Sequence, residues 1–381
     1  MPYTLLVNTL PLLGEETGVG TYTRNIAQAL REDSRFDATF YYGVFAKDLP
    51  SRGSSPRDRA LSALKDQIKK IPILRTLGKK TLVALRRLRA LGRKTHFTCY
   101  FEPNFLLLND ISAEKTVLTV HDFSCFRYPH WHPKERVDCM ERYFPESLRR
   151  ADHIVTVSEA IRAEAANYGI AQERITAIPN GYDPTIFHEG ARADLSGYGL
   201  PDTFVLFAGT LEPRKNLATL LAAHRALGGA LRKRYPLVVA GGYGWKNADL
   251  LAQLTGEPDC VKLLGYVPTQ DLAALYTRAT VLCYPSWYEG FGLPIIEAMA
   301  CACPVITSKD PALVETGGDA ALYVAPDDVE GMARALRELL ENPEQRAILS
   351  EKGLLRAQTF SWQKSAQAHI NLFLTLCTHK P

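Results

Sequence analysis

Two glutamates on either side of a glycine-rich turn have the residue types and spacing of a phosphate and sugar site. Glu289 and Glu297 are separated by Gly-Phe-Gly-Leu-Pro-Ile-Ile, in which Pro294 is expected at the first position of a helix. The free amides and positive dipole end of such a helix favour a phosphate. Glu297 falls one turn inside that helix among apolar residues, so its ionised carboxylate needs partners. Ribose hydroxyls would supply them, and an arginine or lysine elsewhere in the fold is the alternative.

Two adjacent cations, Arg214 and Lys215, follow an apolar run at residues 204–208. On a loop between a strand and a helix, two neighbouring cations suit a diphosphate. A solvated turn that caps the next helix is the alternative. Taken alone, this loop favours that alternative.

The first half of the chain contains weaker signals. Gly18 and Gly20 open a helical pattern after the first apolar run, but Thr23 takes the place of the third glycine in GxGxxG, which disfavours NAD. Close approach of this backbone to an anionic or bulky ligand stays open. His121 and Asp122 follow another apolar run, where ligands of open sheets bind, although a histidine there is as often structural as functional. The chain has no GxSxG, HExxH or P-loop, so those hydrolase and NTPase classes lack support.

Alternating strand and helix patterns must position these residues. This alternation predicts parallel sheets with helices on both faces. The predicted strands are 3–7, 116–120, 153–157, 204–208, 237–240, 261–264, 281–284 and 305–307. The predicted helices are 21–30, 159–168 with Ser158 as N-cap, 217–227, 271–278 and 294–300.

The pattern divides into two halves at residues 179–201, a stretch rich in glycine and proline. We therefore expect two doubly wound domains. Ligands of such sheets bind outside the carboxyl ends of the strands. The cleft between two facing domains is accordingly the expected site.

The composition is that of an ordinary globular protein. The chain has 381 residues, 46% hydrophobic and 23% charged, which argues against wholesale disorder. No apolar run approaches the ~18 residues of a membrane span, and the N-terminus lacks the features of an export signal. The eight cysteines have no CxxC spacing, which indicates reduced thiols of a cytosolic protein. Cys301 and Cys303 have no partners at zinc-site spacing, so we expect no structural metal.

Positive charge is concentrated in one segment. Residues 51–96 contain fourteen lysines and arginines and two acids, which gives +12 there and −8 in the rest of a chain whose total is +4. Leucines and isoleucines at helical spacing predict two short basic amphipathic helices. Adsorption to an anionic membrane, at ~1 kcal/mol per cation, and an ordinary solvated helical hairpin are equally favoured. The segment has no aromatic residues for base stacking, which argues against single-stranded nucleic acid.

Taken together, these motifs resemble family 4 of the retaining glycosyltransferases. Residues 289–298 match the E-x7-E signature, and residues 209–216 are similar to the family's phosphate loop. The resemblance covers almost the whole chain except residues 45–95, and the other motifs follow in the family's order: Gly18–Gly20, His121-Asp122, Thr156–Ser158, Ile178–Asp183 and Gly241–Gly244. The stretch from His121 through Arg127-Tyr-Pro to His132-Pro looks most like bacterial polysaccharide and O-antigen mannosyltransferases.

This resemblance implies the α/β GT-B fold, with two Rossmann-like domains facing a central cleft. The expected N-terminal, acceptor-side domain spans residues 1–185 and includes the basic insertion 51–96. The expected domain for the nucleotide sugar spans 200–360. A helix at 361–381 is expected to return to the N-terminal domain.

The resemblance also implies roles for individual residues. Arg214 and Lys215 would neutralise the donor diphosphate, Glu297 would bind the ribose, and Glu289 and His121 would contact the transferred sugar. The expected catalytic residues are Glu289, Lys215, Arg214 and His121. Donor binding is further expected from Gly209, Thr210, Gly241, Gly290, Phe291, Gly292 and Leu293, and the acceptor and diphosphate side from Gly18, Val19, Gly20 and Asp122. Many family members have arginine at the position of Thr210, and Arg214 is expected to serve instead.

The chemistry matches these residue types. Cleavage of a sugar–diphosphate bond develops negative charge on the leaving group, which fixed cations and helix amides stabilise without a metal. No DxD-type ligand set is apparent, and no carboxylate is identified for a covalent double displacement. The resemblance implies front-face attack with the donor phosphate as proton acceptor. No cofactor and no metal are expected.

We therefore expect a glycosyltransferase that moves a hexose, with mannose from GDP-mannose as first choice, onto a glycan or lipid-linked acceptor in bacterial surface polysaccharide synthesis. The alternatives are a UDP- or dTDP-sugar donor and a sugar-nucleotide-binding protein without transfer activity. A cytoplasmic location is expected, with peripheral attachment to the inner face of the plasma membrane through residues 51–96 left open. No nucleic acid partner is expected.

Overall fold

The chain folds into two compact units that are built on parallel sheets. The computed structural model describes residues 1–13, 17–50, 96–109 and 111–378. The first unit takes its residues from 1–119, 149–153 and 369–381, and the second from 120–148 and 154–368. Residues 120–148 and 154–185, which the expected span 1–185 assigned to the N-terminal domain, group with the second unit.

Strands and helices alternate through both units. The strands of the described residues are β1 (Tyr3–Asn8), β2 (Phe36–Tyr41), β3 (Phe45–Ala46), β4 (His96–Glu102), β5 (Ser112–Val120), β6 (His153–Thr156), β7 (Ile175–Ala177), β8 (Val205–Ala208), β9 (Leu237–Ala240), β10 (Val261–Gly265), β11 (Val281–Tyr284), β12 (Val305–Ser308) and β13 (Ala321–Val324). Their helices are α1 (Gly18–Glu32), α2 (Ser124–Arg127), α3 (Lys134–Arg150), α4 (Glu159–Ala165), α5 (Leu217–Arg225), α6 (Gly229–Arg234), α7 (Ala248–Thr255), α8 (Thr269–Arg278), α9 (Leu293–Ala300), α10 (Pro311–Gly317), α11 (Val329–Glu341), α12 (Pro343–Ala357) and α13 (Trp362–Thr378).

In the first unit the strands lie in the order β3-β2-β1-β4-β5. All of these pairings are parallel except the antiparallel pairing of β2 with β3. Helix α1 begins directly after Thr17, whose hydroxyl accepts a hydrogen bond from the Gly20 amide, and it buries Tyr22, Ile26 and Leu30. The 3–4 residue spacing of these side chains puts them on one face of the helix.

The end of α13 completes the core of the first unit. The Tyr22 hydroxyl lies 2.7 Å from the His369 Nε2 atom. The ring of Phe373 is fully buried, with its centroid 5.1 Å from that of Phe101. Aromatic rings at such distances contribute stability beyond the apolar area that they bury.

The second unit is organised around a six-stranded parallel sheet in the order β10-β9-β8-β11-β12-β13. Its central strands β8, β9, β11 and β12 are continuous runs of buried residues, as expected for a sheet that is covered on both faces. The strand order reverses between β8 and β11, because β9 and β10 follow on one side and β12 and β13 on the other. Ligands of open α/β sheets bind at such a reversal, outside the carboxyl ends of the strands.

Most predicted elements appear within one or two residues of their expected ends. The strands 237–240 and 281–284 are confirmed in full, and Ser158 is the N-cap of α4, since its hydroxyl accepts from the Ile161 amide. Four predictions were wrong in detail. The strand expected over 116–120 begins at Ser112, and the helix expected over 21–30 begins at Gly18 and ends at Glu32. The helix expected over 159–168 ends at Ala165 and continues as a 3-10 turn. The helix expected to begin at Pro294 begins at Leu293, so the proline is its second residue.

The basic segment lies outside the described residues except for its last member, His96, which begins β4. The two amphipathic helices expected there therefore stay a prediction. Within the described ranges, no helix combines the length and apolar character needed to cross a membrane.

Candidate active site

Two loops meet at the strand-order reversal of the second unit. The loop after β8 carries Arg214 and Lys215, and the loop after β11 carries Glu289. Because β8 and β11 are paired neighbours, both loops leave the same edge of the sheet. The Trp287 amide donates to the Arg214 carbonyl oxygen at 2.9 Å, which holds the loops together. The structure thus brings residues from distant parts of the chain to one place.

Arg214 forms two ion pairs in this place. Its Nη1 atom donates to Glu289 Oε2 at 2.6 Å and to the Tyr288 carbonyl oxygen at 2.8 Å. Its Nη2 atom donates to Glu212 Oε1 at 2.8 Å. Its Nε atom is buried and, in the described part of the chain, has no hydrogen-bond partner. One buried donor of Arg214 is therefore unsatisfied within the described residues, which is rare in native structures.

Lys215 completes the arrangement. Its ammonium donates to Glu289 Oε1 at 2.7 Å and to the Tyr284 hydroxyl oxygen at 2.6 Å. The Tyr284 hydroxyl in turn donates to Glu289 Oε1 at 2.9 Å. We call the set of Glu212, Arg214, Lys215, Tyr284 and Glu289 the Glu289 cluster. Its two cations and two carboxylates balance in charge, so a bound diphosphate would compete with Glu289 for the cations.

The pKa shifts follow from this packing. Burial opposes ionisation of Glu289, but Arg214 and Lys215 outweigh it and lower the pKa of this carboxyl to about 2. Burial, together with the neighbouring charge of Arg214, lowers the pKa of Lys215 against the opposing effect of Glu289. Burial and the nearby charge of Glu289 raise the pKa of Asp310, the N-cap of α10, to about 7. Because the pKa of Glu289 lies far below 7, this carboxylate is ionised at neutral pH.

The glycine-rich turn forms a cradle of backbone amides at the start of α9. The amides of Gly290, Phe291, Gly292 and Leu293 donate no hydrogen bond within the described residues. Gly292 has a φ of +112°, and a Cβ added there would meet Leu313 Cδ2 at 2.7 Å. Only glycine fits this conformation and this contact. Four unpartnered donors at a helix N-terminus are suited to phosphate or sugar oxygens.

Gly290 also contacts the segment that carries His121. A Cβ added at Gly290 would lie 1.9 Å from the His121 carbonyl oxygen, and the Gly290 carbonyl accepts from the Ser158 hydroxyl at 2.7 Å. His121 is buried. Asp122 accepts from the Ser124 amide, and although burial opposes ionisation, Arg214 and this bond keep the pKa of Asp122 below its ordinary value. His121 and Asp122 thus lie beside the Glu289 cluster.

A third loop approaches the loop after β8. Gly241 has a φ of +156°, and a Cβ added there would lie 1.9 Å from the Gly209 carbonyl oxygen. The Leu211 amide donates to the Gly242 carbonyl oxygen at 3.0 Å. Thr210 between these contacts is exposed. Gly209, Thr210 and Gly241 therefore lie together at the carboxyl ends of β8 and β9.

Glu297 occupies the position expected one turn inside α9. The Tyr276 hydroxyl donates to its Oε2 atom at 3.4 Å. Burial raises the pKa of Glu297 to about 7. No arginine or lysine of the described residues pairs with it, so the alternative of a structural cation partner finds no support there.

Gly18, Val19 and Gly20 lie in the first unit, in the first turn of α1.

At the strand-order reversal of that unit, the Asn8 amide group donates to Glu102 Oε2 at 2.7 Å, and the Tyr100 hydroxyl donates to the same oxygen at 2.6 Å. Burial raises the pKa of Glu102 to about 8.

Several residues of the site were missed from the sequence. Glu212, Tyr284 and Asp310 belong to the surroundings of Glu289, and Tyr288 accepts from the Phe123 amide at 2.9 Å while it donates to Glu164 at 2.8 Å. Tyr284 is the last residue of β11, and Glu212 lies four residues after the end of β8, which was a usable signal. Their partners could not be assigned, because strand order is not readable from a hydrophobic pattern.

Comparison with known proteins identifies the class. The family model described as Glycosyltransferase Family 4 matches residues 17–186, and that described as Glycosyl transferases group 1 matches residues 197–356. O-antigen chain mannosyltransferase B of Escherichia coli is 34% identical over 98% of this chain and 100% of its own length. O-antigen chain mannosyltransferase RfbU of Salmonella typhimurium is 28% identical over 89% of this chain and 92% of its own. Sucrose-phosphate synthase of Thermosynechococcus elongatus is similar in structure, with a TM-score of 0.72, 22% identity and 99% of both chains covered.

The two parallel-sheet units and these matches define a glycosyltransferase with the GT-B fold. More narrowly, the chain belongs to family 4 of the glycosyltransferases. The fold class and the enzyme class expected from the sequence are thereby confirmed.

Proposed function

We propose that this glycosyltransferase transfers mannose from GDP-mannose to a glycan or lipid-linked saccharide acceptor in O-antigen synthesis. The similarity to O-antigen chain mannosyltransferase B, 34% over nearly the full length of both chains, carries the choice of mannose and of the acceptor class. The second relative with an O-antigen chain mannosyltransferase name supports the same choice.

The observation that carries the donor site is the Glu289 cluster beside a turn of unpartnered amides. In our proposal Arg214 and Lys215 exchange part of their pairing with Glu289 for the donor diphosphate. The freed Glu289 carboxylate, held ionised, then accepts hydrogen bonds from hydroxyls of the transferred sugar. The amides of Gly290, Phe291, Gly292 and Leu293 hold phosphate and sugar oxygens, and Glu297 binds the ribose.

The reaction that we propose retains the configuration of the sugar. The bond from the anomeric carbon to the diphosphate oxygen breaks, and the acceptor oxygen forms its bond on the same face. The acceptor proton passes to an oxygen of the departing diphosphate. Fixed cations and amides that are aimed at the developing charge need little reorganisation, which is the main source of rate acceleration in such sites. Because Arg214 and Lys215 supply this charge, we propose that the reaction needs no metal and no cofactor.

Association with an anionic membrane surface is a second part of the proposal. The net charge of +12 over residues 51–96 supports it, since each cation near such a surface contributes ~1 kcal/mol. A lipid-linked acceptor would be concentrated at the same surface.

The donor assignment is tested by thermal stabilisation of the purified protein with GDP, UDP, dTDP and ADP. A ligand that binds only the folded state raises the melting temperature, by an amount that grows with the logarithm of its concentration divided by its Kd. We expect a selective rise with GDP, followed by transfer from GDP-mannose in an acceptor assay. A rise with UDP or dTDP would keep the enzyme class and overturn the mannose assignment, and no rise with any nucleotide would contradict the donor site.

A further inference from the structure

His132 is a buried histidine whose two ring nitrogens have no hydrogen-bond partner in the described part of the chain. The residue is 3% exposed and follows a 3-10 turn at Pro129–Trp131, directly before α3. A buried polar atom without a partner costs folding free energy, so native structures almost always satisfy such atoms. Two other buried histidines bond at least one ring nitrogen, since His224 Nε2 bonds the Tyr235 carbonyl and His369 Nε2 bonds Tyr22. The Nδ1 atom of His224 also has no partner in the described residues, but at His132 both ring nitrogens are without one.

The surroundings of His132 are aromatic. Its ring centroid lies 6.1 Å from that of Trp245, and the Trp245 indole N–H donates to the Trp131 carbonyl oxygen at 2.6 Å. The Trp131 ring in turn lies 6.4 Å from that of Trp287. Apolar ring faces next to unpaired polar atoms are typical of sites for ligands that have both apolar and polar surface, as pyranoses do.

These contacts place His132 next to the candidate active site. Trp245 belongs to the loop after β9, and Trp287 belongs to the loop after β11 that also carries Glu289. Both loops leave the carboxyl edge of the six-stranded sheet. The histidine therefore lies where the segment 120–148 meets the two loops that border the Glu289 cluster.

Burial and the surrounding charges favour the neutral form of the His132 ring. Burial lowers the pKa of this imidazole, the positive charges of Arg136 and Arg214 lower it further, and Asp122 and Glu212 oppose this only in part. A neutral imidazole presents one N–H donor and one acceptor nitrogen. Two neighbouring hydroxyls of a pyranose ring offer the complementary pair.

We propose that His132 belongs to a pyranose-binding subsite, in which its two ring nitrogens exchange hydrogen bonds with hydroxyls of a substrate sugar while the tryptophan rings pack against the sugar's apolar surface. This inference rests on the proposed glycosyl transfer and extends it to residues for which the family signature gives no role. The sugar is either the hexose of the donor or the terminal residue of the acceptor. Both sugars are pyranoses, so hydrogen bonds from His132 and packing by the tryptophan rings suit either one.

The test uses the full-length protein with His132→Phe and His132→Gln. Phenylalanine keeps the shape of the ring and removes both unpaired nitrogens, so the ligand-free variant should melt at the wild-type temperature or above it. The KM for one substrate should rise about tenfold, the size expected for lost hydrogen bonds in a buried site. Glutamine, which keeps one donor and one acceptor, should restore part of the affinity.

The matched control is His224→Phe, because His224 is also buried and lies on α5. It loses its bond to the Tyr235 carbonyl, so its melting temperature should fall while its kinetic constants stay at the wild-type values. A structural role for His132 would give the same result as this control.

Titration with GDP, GDP-mannose and p-nitrophenyl α-mannoside identifies the sugar. Weaker binding of GDP-mannose with unchanged binding of GDP assigns the donor hexose to the subsite. A raised KM for the mannoside with unchanged donor binding assigns the acceptor. If the wild-type protein transfers mannose and the His132 variants keep its constants for both substrates, the subsite is overturned. Failure of the wild-type protein to transfer from GDP-mannose would instead overturn the proposed function.

Discussion

At the scale of single residues, the site holds two carboxylates whose pKa values lie far apart. Glu289 is kept ionised by Arg214 and Lys215, with a pKa of about 2. Glu297 is half-buried with one tyrosine hydroxyl as partner, and its pKa is raised to about 7. When the environments of two acids in one site separate their pKa values, the two acids commonly have different roles. The first carboxylate is ready to accept hydrogen bonds at any physiological pH, whereas the second changes its state near neutrality.

This difference predicts that donor affinity depends on pH through Glu297. In the proposed ribose contact, the ionised carboxylate accepts hydrogen bonds from both ribose hydroxyls, and the protonated form loses part of that capacity. The Kd of GDP-mannose, whose diphosphate does not titrate near neutral pH, should therefore rise as the pH falls below about 7, by less than about tenfold per pH unit. The Glu297→Gln variant should bind GDP-mannose more weakly, with a Kd that is flat over the same range in calorimetric titrations.

The folding stability should respond to Glu297 with the opposite sign in the ligand-free protein. A carboxyl whose folded pKa lies above its unfolded value contributes stability below the unfolded pKa, and this stability is lost as the pH rises through about 7. Glu297→Gln should thus raise the melting temperature above neutral pH. Glu341→Gln on α11 is the control, and a pH dependence of GDP-mannose binding that survives Glu297→Gln would contradict the assignment.

At the scale of elements, the strained start of α9 sets the positions of the unpartnered amides. Gly292 combines a φ of +112° with a close approach to Leu313, and Gly290 touches the His121 carbonyl oxygen. The turn is fixed from two sides by α10 and by the segment that follows β5. The amides therefore keep their direction before any ligand arrives, which lowers the cost of binding an anion.

A substitution that disturbs this turn should damage stability and donor binding together. Gly292→Ala places a side chain at a positive φ and 2.7 Å from Leu313 Cδ2, so we expect a loss of about 1–3 kcal/mol in the free energy of unfolding. The Kd of GDP should also rise. The control is Gly229→Ala, because Gly229 has no neighbour within 4 Å of an added Cβ. Denaturant unfolding and GDP titration check both effects, and an unchanged Gly292→Ala protein would show that the turn is not constrained as described.

The elements were predictable where burial alone determines them. The strand 281–284 is apolar on both faces, and the sequence predicted its ends correctly. The start of α9 differed by one residue, because a proline is tolerated at either of the first two helix positions, where no amide is needed. The pairing of Lys215 with Tyr284 and Glu289 was not predictable, since it joins residues 69 and 74 positions apart whose proximity depends on β8 and β11 being neighbours.

Candidate site residues were therefore found one by one from the sequence, but not their mutual contacts. The signature predicted that Arg214, Lys215 and Glu289 would each face the ligand. The structure places them in contact with one another, together with Glu212, which lies in the phosphate-loop motif but had no predicted role. The sequence indicated His132 only as part of the motif that begins at His121. Its unpartnered ring nitrogens could not be predicted, because they depend on how the side chains pack.

At the scale of the whole molecule, the charge distribution divides the chain into unequal parts. Residues 51–96 carry +12 and the remaining residues carry −8. Such an asymmetry attracts the basic part to an anionic surface and repels the rest from it. The proposed membrane association therefore depends on that segment alone and should be sensitive to salt, because surface charges are screened over ~10 Å at 0.1 M ionic strength.

Vesicle flotation of the full-length protein tests this expectation. The protein should float with phosphatidylcholine vesicles that contain phosphatidylglycerol, but not with phosphatidylcholine alone, and high salt should release it. Four glutamine substitutions within the segment should weaken binding by at least about a hundredfold, at ~1 kcal/mol per cation: Lys69, Lys70, Lys79 and Lys80. The matched control replaces four exposed cations of the second unit, and it should float like the wild type: Lys233, Arg234, Arg278 and Lys309. Equal losses of binding in the two variants would mean that net charge, and not the segment, drives binding. A wild-type protein that does not float would contradict membrane association and favour a solvated helical hairpin for residues 51–96.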